Sequence, residues 1–96
     1  MGAYQVKRTD KNQQDIMDTL RSAGYAVHDT HELGGGFPDI LVACERGNVL
    51  VEVKMPGKDL NAAERKFHAH WPGPLCVIYY KDEAAEMIEQ AIGGKE

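Results

Sequence analysis

Two apolar runs lie close together in the middle of the chain and constrain its fold more than any other feature. The first covers residues 40–44 and the second residues 49–53, and only residues 45–48 separate them. Apolar runs of this length next to turn residues are typical of buried β-strands, and Gly47-Asn48 supplies turn chemistry. The sequence therefore predicts a β-hairpin with a four-residue loop, in which Cys44 lies opposite Val49.

Three helices and two further strands are predicted around this hairpin from apolar spacing and from residues that can cap or end each element. In chain order they are a helix from Thr9 or Asp10 to about Ala23, a strand over residues 25–30, a helix that begins after Asn61, a strand over residues 75–80 and a helix that begins near Asp82. Asn61 and Glu64 form a capping box for the second helix. We therefore expect an α/β fold with an α-β-β-β-α-β core, a mixed sheet flanked by helices and an extra C-terminal helix.

The chain length limits this fold to one domain. A chain of 96 residues buries too little surface for two independent cores, so residues 1–96 are predicted to form a single domain with residues 1–8 as a loose arm. No apolar run approaches the roughly 20 residues needed to cross a bilayer, and residues 1–8 lack the apolar segment of a secretory signal. We therefore expect a cytoplasmic protein. The two cysteines are too few for a disulfide scaffold.

The net charge of −4 argues mildly against a nucleic-acid partner, because Lys and Arg drive phosphate binding. Five of the 15 acidic residues, however, follow residue 81, and residues 1–81 hold ten acidic and ten basic residues. If two of those acids held a metal ion, the remaining surface would be mildly basic. The charge therefore does not exclude DNA.

Three charged residues interrupt the predicted hairpin. Glu52 and Lys54 are two positions apart and therefore point to the same face of the sheet, and the predicted register places Asp39 opposite Lys54 on that face. Charge near a core is costly unless it is paired or coordinates a metal. The three side chains therefore predict either a divalent-metal site or a structural ion pair, and the spacing alone does not separate these alternatives.

A metal site of this kind suits phosphodiester hydrolysis. Mg²⁺ prefers a few carboxylate or carbonyl oxygens and keeps waters that a phosphate can displace. The ion can lower the pKa of a bound water, and Lys54 can orient that water and neutralise developing charge.

The motifs around these residues resemble those of a known nuclease family. They are GGGFPDILV at residues 34–42, VEVKMPG at residues 51–57, LNAAE at residues 60–64 and Phe67 followed by Trp71. Together they resemble the VRR-NUC family of the PD-(D/E)XK nuclease superfamily, which has the restriction-endonuclease-like fold, and in particular its short stand-alone members from phages and bacteria. The match runs from about Asn12 to Glu83, nearly the whole chain.

The resemblance implies a metal-dependent endonuclease. Asp39 and Glu52 would bind Mg²⁺ or Mn²⁺, the Val53 carbonyl would be a further ligand, and Lys54 would be the catalytic lysine. Short family members resemble Holliday-junction resolvases, which implies a homodimer that cuts branched DNA. The alternative is a catalytically weak or inactive DNA-binding or assembly module that keeps the nuclease fold.

The chain departs from the family pattern at two positions. The family often places a Glu on the first helix, whereas here the acid has no clear equivalent, Asp10 is the nearest candidate, and Gln13 matches a family glutamine. Glu64 stands where many relatives have Gln. These departures leave the metal stoichiometry open.

Further residues are candidates for DNA contact, although charge on a helix surface is often only solvated. Glycine backbone can approach DNA or a metal closely, and basic residues near the site or on the arm can contact phosphates. The candidates are Gln13, Gly35, Gly36, Lys58, Arg65, Lys7 and Arg8.

Overall fold

The structure, a computed structural model, describes residues 11–93. Its helices and strands, in chain order, are α1 (Lys11–Ser22), β1 (Ala26–Asp29), β2 (Ile40–Cys44), β3 (Gly47–Val53), α2 (Ala62–His70), β4 (Leu75–Ile78) and α3 (Ala84–Gly93). Short 3₁₀ turns follow β1 and precede α3. The predicted order of elements is confirmed, while the arm over residues 1–8 and the predicted helix start at Thr9 or Asp10 lie outside the described residues.

The four strands form one mixed sheet in the order β1-β2-β3-β4. β1 pairs antiparallel with β2, and β2 pairs antiparallel with β3. β3 and β4 are parallel, so the chain must cross over between them, and α2 lies in that connection.

The core lies on one face of the sheet, beneath α1 and α3. Helical spacing places Ile16 and Leu20 on the buried side of α1, where they join the alternate side chains of β2 and β3 and Ile88 of α3 in one apolar cluster. The side chains between these on β3, including Glu52, therefore point to the opposite face, the face on which α2 lies. The rings of Phe67 on α2 and Trp71 directly after it stack with their centroids 5.1 Å apart.

The three helices contain 12, 9 and 10 residues. None of the helices within residues 11–93 has the length and apolar character required to cross a bilayer. The two cysteines, Cys44 and Cys76, are free and half-buried.

The predicted hairpin register is wrong by two residues. Cys44 pairs with Gly47 rather than with Val49, so the turn contains only residues 45 and 46. The shorter turn is anchored by Arg46, whose guanidinium donates two hydrogen bonds of 2.8 and 2.7 Å to the carboxylate of Glu89 on α3. A sequence pattern cannot show this contact, because 43 residues separate its partners.

The shift moves Asp39 without changing its face. Ile40 pairs with Val51, so Asp39, one residue earlier, lies beside Glu52 and not opposite Lys54. Because the shift is an even number of residues, the three charged side chains still point to the same face of the sheet, as predicted.

Candidate active site

The predicted site residues line one cavity of about 360 Å³ at the end of β3. Its lining consists of Gln13, Asp39, Glu52, Val53, Lys54, Met55, Lys58, Asp59 and Glu64. The fold thus brings together residues from α1, the start of β2, the end of β3 and the first turn of α2.

Asp39 is held by hydrogen bonds on both its main chain and its side chain. Its backbone carbonyl accepts a 2.8 Å hydrogen bond from the Thr30 N–H, and its Oδ2 accepts a 2.9 Å hydrogen bond from the Val53 N–H. Burial raises the pKa of this carboxyl, although donation by the Val53 N–H opposes the shift. Asp39 therefore has a fixed position beside β3. Because its pKa is raised, a proton and a cation would compete for its carboxylate.

Glu52 is the most deeply buried charged side chain in the described part of the chain, with 2% of its surface exposed. Burial raises its pKa to about 9, and the neighbouring charges of Asp39 and Glu64 add to this shift. Its buried Oε1 has no hydrogen-bond partner among the described residues. A carboxyl group in this position is either protonated or neutralised by a cation, because an unpaired buried charge is costly.

Lys54 follows β3 directly and is fixed from three directions. Its N–H donates to the Ile78 carbonyl at 3.2 Å, and its carbonyl accepts a 3.2 Å hydrogen bond from the Asn12 side-chain amide. Its Nζ forms an ion pair of 2.7 Å with Glu64 Oε1. Burial lowers the pKa of the ammonium, but the hydrogen bond and charge of Glu64 outweigh it and raise the pKa overall.

Glu64, which the sequence predicts as a helix cap and which departs from the family pattern, also lies in the site. It does form the predicted capping box: its N–H donates to Asn61 Oδ1 and its Oε1 accepts from the Asn61 N–H, both at 2.8 Å. Burial raises the pKa of Glu64, but donation from Lys54 and from the Asn61 N–H lowers it overall. The capping box placed Glu64 in the first turn of α2, but its position against Lys54 depends on how α2 docks onto the sheet.

Asp39 and Glu52 lie side by side in this cavity, which Asp59 and Glu64 also line. No group of three or more His, Cys, Asp or Glu side chains within residues 11–93 is arranged to hold a metal. Asp39, Glu52 and Val53 all line the cavity, and the two carboxylates and the Val53 backbone carbonyl would offer the hard oxygens that Mg²⁺ and Mn²⁺ prefer. The unpartnered Oε1 of Glu52 fits such an ion, because coordination would satisfy it.

Two of the predicted DNA contacts lie in the wall of this cavity. Gln13 is 5% exposed, and its Nε2 donates to Asp29 Oδ1 at 3.4 Å. Lys58 lies in the loop after β3 and lines the same cavity. The side chains of both residues are therefore close to the three charged residues.

The other predicted DNA contacts lie elsewhere. Gly36, with φ +85°, packs against the first turn of α2, where an added Cβ would lie 2.4 Å from the Ala63 carbonyl oxygen. This close packing, and not an approach to a ligand, accounts for the missing side chain. Gly35 and Arg65 are exposed and do not line the cavity, and Lys7 and Arg8 lie outside the described residues.

Comparison of the chain with known protein families, with curated proteins and with solved structures finds no match. The resemblance to VRR-NUC nucleases therefore stays a prediction made on the quoted motifs.

Proposed function

We propose that the chain is a metal-dependent endonuclease that hydrolyses phosphodiester bonds in branched DNA, in the manner of a Holliday-junction resolvase. The observation that carries the proposal is the buried carboxyl of Glu52 beside Asp39, with the ammonium of Lys54 in the same cavity. The Oε1 of Glu52 has no hydrogen-bond partner among residues 11–93. A structural ion pair explains the contact between Lys54 and Glu64. It does not explain why Asp39 and Glu52 are buried next to each other, since two adjacent carboxylates repel.

The chemistry assigned to these residues follows from their positions. Asp39, Glu52 and the Val53 carbonyl would hold Mg²⁺ or Mn²⁺, and the bound ion would supply a water of lowered pKa and stabilise negative charge on the phosphate. Lys54 donates hydrogen bonds to the attacking water and to a non-bridging phosphate oxygen. Lys58, which lines the same cavity, would contact a neighbouring phosphate of the same strand.

We also propose that the protein acts as a homodimer in the cytoplasm of a bacterium or of a phage-infected cell. The two active sites of a homodimer would allow paired strands of a junction to be cut. An apolar cavity of about 530 Å³ on the α2 face, lined in part by Phe37, Leu50 and the 42% exposed Trp71, is a candidate contact surface between two copies.

A second candidate function is a DNA-binding or assembly module without turnover. It is favoured by the chemistry of α1, because the cavity receives the neutral amide of Gln13 from this helix where the related nucleases often have a glutamate. Without a carboxylate from α1, metal binding would be weaker.

The test is a cleavage assay on a four-way junction, a flap and a linear duplex, each with Mg²⁺, with Mn²⁺ or with EDTA. We expect metal-dependent cleavage of the branched DNAs, and a rate lower by on the order of 10²–10³-fold for Asp39→Asn, Glu52→Gln and Lys54→Ala. Glu86→Gln, which changes an exposed glutamate on α3, serves as the control and should cleave like the wild-type protein.

Two results would contradict the proposed nuclease function. DNA that binds but is cut in neither metal would support the binding module instead. Wild-type rates in both Glu52→Gln and Lys54→Ala would show that these residues do not have the roles assigned to them.

A further inference from the structure

The position of the Lys54 ammonium is determined by one neighbouring side chain. The backbone of Lys54 is held on one side by β4 and on the other by α1, so the start of the side chain is fixed. The rest of the side chain is flexible, and its terminal Nζ lies 2.7 Å from Glu64 Oε1. Both side chains are mostly buried, with 18% and 14% of their surfaces exposed, so this pair is not a solvated surface ion pair.

The acceptor is itself held rigidly. Glu64 Oε1 accepts from the Asn61 N–H as well as from Lys54, and the Glu64 N–H donates back to Asn61. α2 is fixed in turn by the close approach of Gly36 to Ala63 and by the edge-on contact of the Phe37 and Phe67 rings at 5.3 Å. A glutamate that caps a helix has little rotamer freedom, so it offers Lys54 an acceptor at a fixed place.

We propose that Glu64 is a positioning residue for Lys54, and that the capping box of α2 is used to set where the ammonium lies relative to Asp39 and Glu52. The catalytic part of this inference rests on the proposed nuclease function. An ammonium has three N–H donors, so the bond to Glu64 leaves two for a water and a phosphate oxygen. Glu64 is assigned a role through Lys54, because its Oε1 contacts the ammonium directly.

Steady-state kinetics on branched DNA with Mn²⁺ test the inference, using Glu64→Ala, Glu64→Gln and the exposed control Glu86→Ala. Glu64→Ala should lower kcat by on the order of 10²-fold with little change in KM, because a misplaced catalytic group loses rate and not binding. Glu64→Gln keeps an oxygen that accepts from both donors and should retain most of kcat. Wild-type kcat in Glu64→Ala, or a loss in Glu64→Gln as large as that in Glu64→Ala, would overturn the inference.

A second measurement does not depend on activity. Acetylation of lysines by an activated ester, read by mass spectrometry, should be faster at Lys54 in Glu64→Ala than in Glu64→Gln, which loses the same charge but keeps an acceptor for the ammonium. The exposed Lys66 on α2 serves as the internal reference and should react equally in both variants. Equal rates at Lys54 would overturn the positioning role, whereas the expected labelling together with uncut DNA would refute the proposed function and leave the geometric role in place.

Discussion

The protonation of Glu52 predicts how the stability of the metal-free protein depends on pH. Burial, together with the charges of Asp39 and Glu64, raises the pKa of this carboxyl from its ordinary 4.5 to about 9 in the folded protein. Between pH 6 and pH 8 the folded state therefore holds one proton that the unfolded state has lost. The free energy of unfolding then falls by about 1.4 kcal/mol per pH unit, or about 2.7 kcal/mol from pH 6 to pH 8.

Urea unfolding in EDTA at pH 6 and pH 8 measures this fall, with circular dichroism and the fluorescence of Trp71, the single tryptophan, as probes. Glu52→Gln keeps the shape of the side chain but has no titrating proton, so it should lack this contribution. His68 has the opposite effect on the pH dependence. Burial lowers its pKa, so its contribution to the free energy of unfolding rises with pH. Since His68 is present in both proteins, the difference between wild type and variant reports the titration of Glu52 together with that of Asp39, which interacts with it.

Parallel pH dependence in the two proteins would refute this reasoning, because it would show that Glu52 is ionised in the folded, metal-free state. The same linkage predicts the effect of metal. An ion that replaces the proton on Glu52 binds more tightly at higher pH, so saturating Mn²⁺ should raise the melting temperature more at pH 8 than at pH 6. An equal rise at both pH values would show that the ion binds away from Glu52.

Two further substitutions test how the site is supported. Gly36→Ala should lower the free energy of unfolding by about 3 kcal/mol, because the new Cβ meets Ala63 and φ is positive, whereas Gly35→Ala has open space and should cost only about 1 kcal/mol. Urea unfolding of the two variants checks this, and equal losses would show that Gly36 is not packed against α2. Asn12→Ala removes an amide that bridges two backbone carbonyls and should cost about 1–3 kcal/mol, while the exposed Gln14→Ala on the same helix should lose much less. Equal melting temperatures for Asn12→Ala and Gln14→Ala would show that the Asn12 amide does not bridge the two carbonyls.

The order of the elements could be predicted from the sequence because each element carries local signals. The capping box of Asn61 and Glu64 is an example, since both of its hydrogen bonds form within four residues. The hairpin register was wrong because Gly47 is not in the turn: it already pairs with Cys44, and only residues 45 and 46 connect the strands, while Arg46 contacts the distant Glu89 on α3. A local pattern carries no information about such a contact.

The grouping of Asp39, Glu52 and Lys54 was predicted because it depends only on which face of the sheet each side chain takes, and a shift of two residues leaves the face unchanged. The pairing of Lys54 with Glu64 was missed. It requires α2 to dock close to the end of β3, and that docking depends on the contact of Gly36 with α2, which brings residues distant in sequence together.

Asp39 and Glu52 are proposed to share a divalent ion. Anomalous diffraction from a crystal of the protein soaked in Mn²⁺ measures this directly. We expect an anomalous peak within about 2.5 Å of a carboxylate oxygen of each residue, at the end of β3, and no such peak in crystals of Asp39→Asn. Mn²⁺ bound elsewhere in the wild-type crystal, with this cavity empty at saturating metal, would contradict the claim.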